Sequence, residues 1–250
     1  IYTGEDTLSL HDALPICYVD AFNLTNNTWD GIVAGSPGTS GSGYTTAPAS
    51  VNGAVMDGAG NIWTNNLSYK FTFSGTSGGT WTTSPVTNSY IGRYPITLDT
   101  SRNQLFGFCT LDGEGSNGGG AYSGYYAGVL LNGASATSAI TLTSGDGSLT
   151  EINAAIATNV GGSYLAAYAA MCYIPPLDKF WWCATGLAKT YEITPNGTTT
   201  WSINALSLTG TPPSGVGAET CVGKMKYVPA LGIVIRAVDQ STNLYFRRVV

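Results

Sequence analysis

Histidine is almost missing from this chain: its 250 residues hold one, His11. Beyond that position a His-ligated copper site, a Ser-His-Asp triad and a His-containing zinc site are all excluded. Charge is scarce too, with Asp, Glu, Lys and Arg making up 10% of the residues, 15 acids against 10 bases. No run of Lys and Arg stands out. The chain therefore lacks an electrostatic footprint for nucleic acid and a polybasic patch for a membrane surface. Long apolar stretches are absent as well. The best candidate, YLAAYAAMCYIPP, is cut by prolines well short of the roughly 18 residues that argue for a spanning helix, so no membrane insertion is expected. Five cysteines without regular spacing make no disulfide framework. What is abundant instead is Gly (33) and Tyr (15), with much Ser, Thr, Asn and Trp. That mixture suits an all-β protein rich in turns. Low charge of this kind is commoner in extracellular or virion proteins, which is the expected location.

The first sixteen residues, IYTGEDTLSLHDALPI, stand apart. Back-translated, Thr7 to Ile16 reads as one frame of a short-read sequencing adapter. Ile1, Tyr2 and Thr3 fit the segment before its variable index. Residues 1–16 are therefore expected to be adapter-derived and are excluded from fold reasoning. With them go Glu5, Asp6, Asp12 and His11, which leaves 12 of the 15 acids against 10 bases. Residues 17–250 are expected to be a fragment that starts in mid-repeat, with any signal peptide and closing strand lying upstream.

A long period runs through the remainder. YVDAFNLTNNTW, YKFTFSGTSGGTW, YAGVLLNGASATSAITL and TYEITPNGTTTW are each a period-2 strand, a Gly/Asn/Thr turn and a second strand, three of them ending in Trp. NLYFRRVV begins a fifth unit. Between them lies a second series, GAVMDGAGNIWTNN, RYPITLDTSRNQLFGFCT, AAMCYIPPLDKFWWCAT and GKMKYVPALGIVIRAV. Each is an apolar strand, a tight turn of Asp, Pro, Gly or Asn, and another apolar strand. Two hairpins of unequal burial, repeated every fifty to sixty-odd residues, describe the four-stranded blade of a β-propeller.

The segments YIPPLDKFWW…TYEITPNGTTTW and KMKYVPALGIVI…DQSTNLYFRRV resemble blades of kelch-type, galactose-oxidase-like propellers, although the kelch double glycine is missing. SGTSGGTW is similar to the Asp-box turn of sialidase-like propellers, with Thr76 where the Asp belongs. Those resemblances imply an all-β partial propeller of about four to five four-stranded antiparallel blades. Residues 18–32 supply a third and fourth strand, three full blades follow over about 53–84, 93–143 and 167–204, and 223–249 supply three strands more. Trp29, Trp81 and Trp201 recur with the repeat and are expected between blades.

Function is expected on the face carrying the long connections, 110–125 and 143–164. Ser148 to Glu151 fits a capping box for a short helix over INAAIA. Tyr125, Tyr126 and Trp63 are aromatics suited to stacking on sugar rings if exposed. Arg93 and Arg236 lie near channel-side strands, and Asp112 and Glu114 sit in DGEGSN, which is more a solvated turn than a calcium loop. Asp146, Glu151, Glu219 and Asp239 are the other loop-side carboxylates, none marked by a motif. No catalytic residue, metal or cofactor is assigned. Trp181 and Trp182 are adjacent on a strand and must face opposite ways. Numbering that hairpin about Leu177 and Asp178 sets Cys172 opposite Cys183, two buried thiols or a cross-strand pair. The expectation is a non-catalytic propeller that recognises carbohydrate or a protein surface ligand. A sialidase-like or other glycoside hydrolase truncated at its start, or a virion structural module, are the alternatives.

Overall fold

The computed structural model describes residues 18–23, 28–35, 55–64, 67, 69–74, 78–83, 95–110, 125–157, 169–184, 187, 189–207, 225–236 and 245–249. Residues 1–16 lie outside them, and so does His11. Five sheets follow one another along the chain. The first is a hairpin, β1 (Tyr18–Asn23) and β2 (Thr28–Gly35). The second runs β3 (Val55–Met56), β4 (Ile62–Thr64), β5 (Tyr69–Ser74), β6 (Gly78–Thr83). The third runs β7 (Ile96–Asp99), β8 (Gln104–Thr110), β9 (Tyr125–Leu131), β10 (Ser138–Ala139). After β11 (Thr141–Thr143) and the helix α1 (Ser148–Ala157) comes the fourth sheet, β12 (Ala169–Ile174), β13 (Lys179–Ala184), β14 (Tyr191–Thr194), β15 (Thr200–Ala205). The fifth is β16 (Met225–Val228), β17 (Ile233–Arg236), β18 (Tyr245–Arg248). The all-β reading and the repeated up-and-down hairpins are therefore present. No sheet closes on itself among the described residues.

The second to fifth sheets pack against one another in chain order. Trp63 on β4 and Leu67, between β4 and β5, meet Leu105 and Leu130 of the third. The opposite face of the third, Phe106, Phe108 and Val129, meets Phe180, Trp182 and Trp201 of the fourth. Because side chains alternate along a strand, Trp181 and Cys183 point the other way, against Met225 and Val234 of the fifth. That is why the β12 and β13 sequences read as continuous apolar runs: both faces of the fourth sheet are covered. Burying each such side chain contributes about 1.5–3 kcal/mol. The first strands also lie side by side in sequence, β3 against β7, β7 against β12 and β12 against β16.

The turn from first to second strand is built the same way four times. A residue in the left-handed region precedes the second strand: Gly60 (φ 82°), Asn103 (φ 50°), Asp178 (φ 52°) and Gly232 (φ 59°). Gly, Asn and Asp are the residues that reach this region at least cost, which explains the composition of those turns.

Two expectations about registry are corrected. The turn after β12 is a 3-10 turn over Pro175–Leu177 closed by left-handed Asp178, so the first pair across it is Ile174 with Lys179. This puts Cys172 opposite Trp181 and Cys183 opposite Ala170. The two thiols are not directly opposed. Both are buried in the core between the fourth and fifth sheets, where burial pushes the Cys172 thiol up to about 12. The blade expected over 93–143 also ends differently. Its fourth strand is only Ser138–Ala139. The next residues leave it, and β11 pairs in parallel with β15, making the fourth sheet five-stranded. A parallel strand arriving from the preceding sheet was invisible because Thr141–Thr143 continues the alternation of the strand before it.

Candidate binding face

At one end of the sheets the short turns spend their polar groups on themselves. Asp57 is buried, and its Oδ1 accepts from the backbone N–H of Ala59 and of Asn61, both at 2.9 Å. Oδ2 accepts from Asn61 Nδ2 at 2.9 Å and from Trp63 Nε1 at 2.7 Å. Burial alone would raise this carboxyl; the hydrogen bonds from Trp63 and Asn61 outweigh it and hold it below the ordinary range. Asp99, fully buried, repeats the pattern one sheet on, accepting from Ser101 and Arg102 N–H at 3.1 Å and from Gln104 Nε2 at 3.1 Å.

Arg102 then links two sheets. Nη1 donates to Asp99 Oδ2 at 3.0 Å and to Asp178 Oδ1 at 2.8 Å, while Nη2 donates to Asp178 Oδ2 at 2.6 Å. The Arg102 guanidinium holds Asp178 below the ordinary carboxylate range. Tyr173 Oη donates to Asp178 Oδ1 and accepts from Ser101 Oγ, both at 2.6 Å. Burial first, and then the Asp178 acceptor, push its phenol up to about 12. A small cleft opens beside Asp57, Trp63, Leu98, Gln104 and Leu130, but its carboxylate is already saturated. This end serves to lock turns together.

The opposite end of the third and fourth sheets carries α1 and the start of β9. A helix does form here, over Ser148–Ala157, but Ser148 is its first residue, the Glu151 N–H bonds the Gly147 carbonyl, and the side chain that receives the Ser148 N–H is Asp146. Asp146 Oδ1 accepts from Ser148 N–H and Ser144 Oγ at 2.9 Å, and Oδ2 accepts from Ala205 N–H on β15 at 2.7 Å. The Ser148 donors hold Asp146 well below the ordinary range. Glu151 faces Lys189 instead, Oε2 to Nζ at 2.6 Å. Gly145 N–H to Asn204 Oδ1, 3.2 Å, fastens the same segment. Beneath it runs a file of rings: Tyr125 to Phe108 (5.7 Å), Phe108 to Trp182 (4.7 Å) and Trp182 to Tyr191 (5.6 Å). Tyr125 is the half-buried outer member, its Oη donating to the Leu142 carbonyl at 3.3 Å.

Of the residues expected to bind, Tyr125 is thus on this end. Tyr126 is on β9 with its side chain outside the described set, and Arg93, Asp112 and Glu114 also lie outside the described residues. Trp63 is only 6% exposed, held in the second-to-third sheet core and capped by Lys70, whose Nζ sits 5.5 Å from its ring. It is a turn-locking residue, not a platform. Arg236 is on β17, half buried, far in sequence from the Tyr125 end. Trp181 and Trp182 do face opposite ways, and neither is free: both are buried. Trp201 lies between the third and fourth sheets as expected; the side chains of Trp29 and Trp81 are outside the described set. Sequence reasoning missed Asp57, Asp99 and the Arg102–Asp178 link. Asp two residues before a free amide is a readable turn signal, but a partner 76 positions away is not.

No protein-family model matches the chain, and no curated protein matches it.

Proposed function

We propose that the chain is a propeller-type stack of blades acting as a non-catalytic scaffold, and that it recognises carbohydrate at the end formed by Tyr125, α1 and the last residues of β15. The lateral succession of first strands and the repeated left-handed turn support the blade reading. The observation that carries the binding reading is Tyr125, a half-buried ring held by Leu142 and Phe108 at the margin of a rigid aromatic file. A flat, pre-oriented ring beside hydroxyl, amide and charged groups is what a sugar face and its hydroxyls call for. Ser144 follows two residues after the Leu142 whose carbonyl holds the ring, Gly145 fastens the same segment to Asn204, and Glu151 on α1 pairs with Lys189. Both oxygens of Asp146 are committed to the helix cap and β15, and Glu151 is paired with Lys189, which favours recognition over acid-base hydrolysis.

The test is titration of a panel of neutral and acidic oligosaccharides followed by calorimetry, with reducing-sugar release measured alongside. At least one oligosaccharide should bind without being cleaved. Tyr125→Ala should weaken it about tenfold, about 1.4 kcal/mol, and Tyr125→Phe should retain most of the affinity. Binding unaffected by Tyr125→Ala, an absence of binding across the panel, or turnover would each overturn the reading.

A further inference from the structure

We infer that α1 is a lid, and that lifting it bares Trp182 Nε1 and Tyr191 Oη as donors to the oxygens of a neutral sugar, an assignment that rests on the carbohydrate reading above. Trp182 and Tyr191 are a directly opposed pair on β13 and β14. Both rings lie on one face of the fourth sheet, in the core to which Ile152 and Ala155 of α1 belong. Trp182 is 1% exposed and Tyr191 fully buried, yet among the described residues neither Trp182 Nε1 nor Tyr191 Oη has a hydrogen-bond partner. Buried polar groups are nearly always satisfied, so two neighbouring ones left over mark a place where a polar guest belongs. A buried donor without an acceptor also costs the closed state free energy, which opening to water or to a ligand recovers.

The attachment of α1 suits lifting. Three polar ties at exposed positions hold its start: Asp146 Oδ2 to Ala205 N–H, Gly145 N–H to Asn204 Oδ1 and Glu151 Oε2 to Lys189 Nζ. Each contributes little in contact with water. Gly147, at φ 82°, joins Asp146 to the first helical residue, a left-handed link that glycine forms without strain. The guest is defined by the donors. An indole N–H can only donate and a phenol hydroxyl donates readily, so the guest must bring acceptor oxygens. Sugar hydroxyls and ring oxygens do so, and the Phe108 and Trp182 rings, 4.7 Å apart, offer apolar surface to a sugar's C–H face. Charge disfavours an acidic sugar. Burial, then the charges of Glu151 and Asp146, push the Tyr191 phenol up, so both carboxylates are felt at the hydroxyl, and a further negative charge there would be repelled.

Hydrogen exchange in the free protein tests the lid, and calorimetry with a neutral oligosaccharide tests what it covers. The amides of α1 should exchange at least about tenfold faster than those of β13, through openings that leave the sheets intact. Tyr191→Phe removes one stranded hydroxyl, so it should slow α1 exchange about fivefold and weaken the sugar about fivefold or more. Asp146→Ala loses the bonds to Ser148 and Ala205 and should do the reverse. Its α1 should exchange about fivefold faster, and the sugar should bind more tightly because a larger share of the protein is open. A hydroxyl with only a structural role would not couple protection and affinity in opposite directions. Exchange in α1 no faster than in β13, or unchanged by Tyr191→Phe, would overturn the lid. Faster exchange in Asp146→Ala with unchanged affinity would overturn its link to binding. Local opening of α1 with no neutral sugar bound by any variant would instead overturn the carbohydrate reading.

Discussion

Trp201→Ala should cost about 3–5 kcal/mol, the range for removing a buried tryptophan, and should be the most damaging single truncation in the molecule. The ring is 1% exposed in the core shared by the third and fourth sheets. It stacks on Phe180 at 5.7 Å with 13° between planes and lies 4.7 Å from Phe106, so it touches both sheets at once. Its strand also sits between β14 and the incoming β11, where Leu142 pairs with Trp201 itself. Nε1 donates to the Gly197 carbonyl at 2.8 Å and closes the turn that feeds the strand. Trp201→Phe keeps most of the ring and loses that hydrogen bond, an expected loss of roughly 1–2 kcal/mol. Urea unfolding gives the comparison: the midpoint should drop in the order wild type, Phe, Ala, with the slope preserved. An alanine variant within about 1 kcal/mol of wild type would mean the two sheets are not held by this core.

The same residue shows what the sequence could disclose. Trp201 was legible because it recurs with the repeat, which is information local to a few residues; its place was not, since it stands second in β15 rather than at a strand's end. The β12 and β13 runs were legible for a related reason: continuous apolar sequence means two covered faces. Register was not. Whether the turn after Ile174 holds two residues or four depends on Asp178 adopting φ 52°, a choice that Pro175, Pro176 and the Arg102 contact settle together. One wrong residue there misplaced Cys172 against Cys183. The excursion of β11 to β15 was hidden for a deeper reason, since a parallel pairing between distant segments leaves no periodic mark. For the candidate site, Tyr125 was found from its place beside a long connection. The anchoring of α1 by Asp146 was not, because its second partner, Ala205, is 59 residues on.

Asp57→Ala should destabilise by roughly 3 kcal/mol, from two or three donors left unsatisfied at about 1–3 kcal/mol each. The carboxylate accepts from the Trp63 indole N–H, and Trp63 and Asn61 are both buried. Asp57→Asn separates charge from shape: the amide can accept on one atom, but its NH₂ then confronts the N–H groups that face Oδ1 or Oδ2. It should fall between wild type and Ala. Its pH profile is the sharper readout. The folded Asp57 carboxyl is held below its ordinary value of 3.8, so in the unfolded chain it binds protons more readily. Its contribution to stability is therefore complete above the unfolded pKa and is lost as pH falls through the folded one. Wild type should lose stability on acidification below about pH 4, and part of that slope should vanish in Asp57→Asn. At the alkaline end the sign reverses for Tyr173, whose raised phenol adds stability that is complete below pH 10 and lost as pH climbs toward 12. Tyr173→Phe should flatten that limb, and because the Tyr173 hydroxyl also helps hold Asp178 down it should take a share of the acid limb too; only Asp57→Asn should leave the alkaline limb as it is. An acid limb unchanged by Asp57→Asn would mean that Asp57 is not the carboxylate on which the second sheet's turn depends.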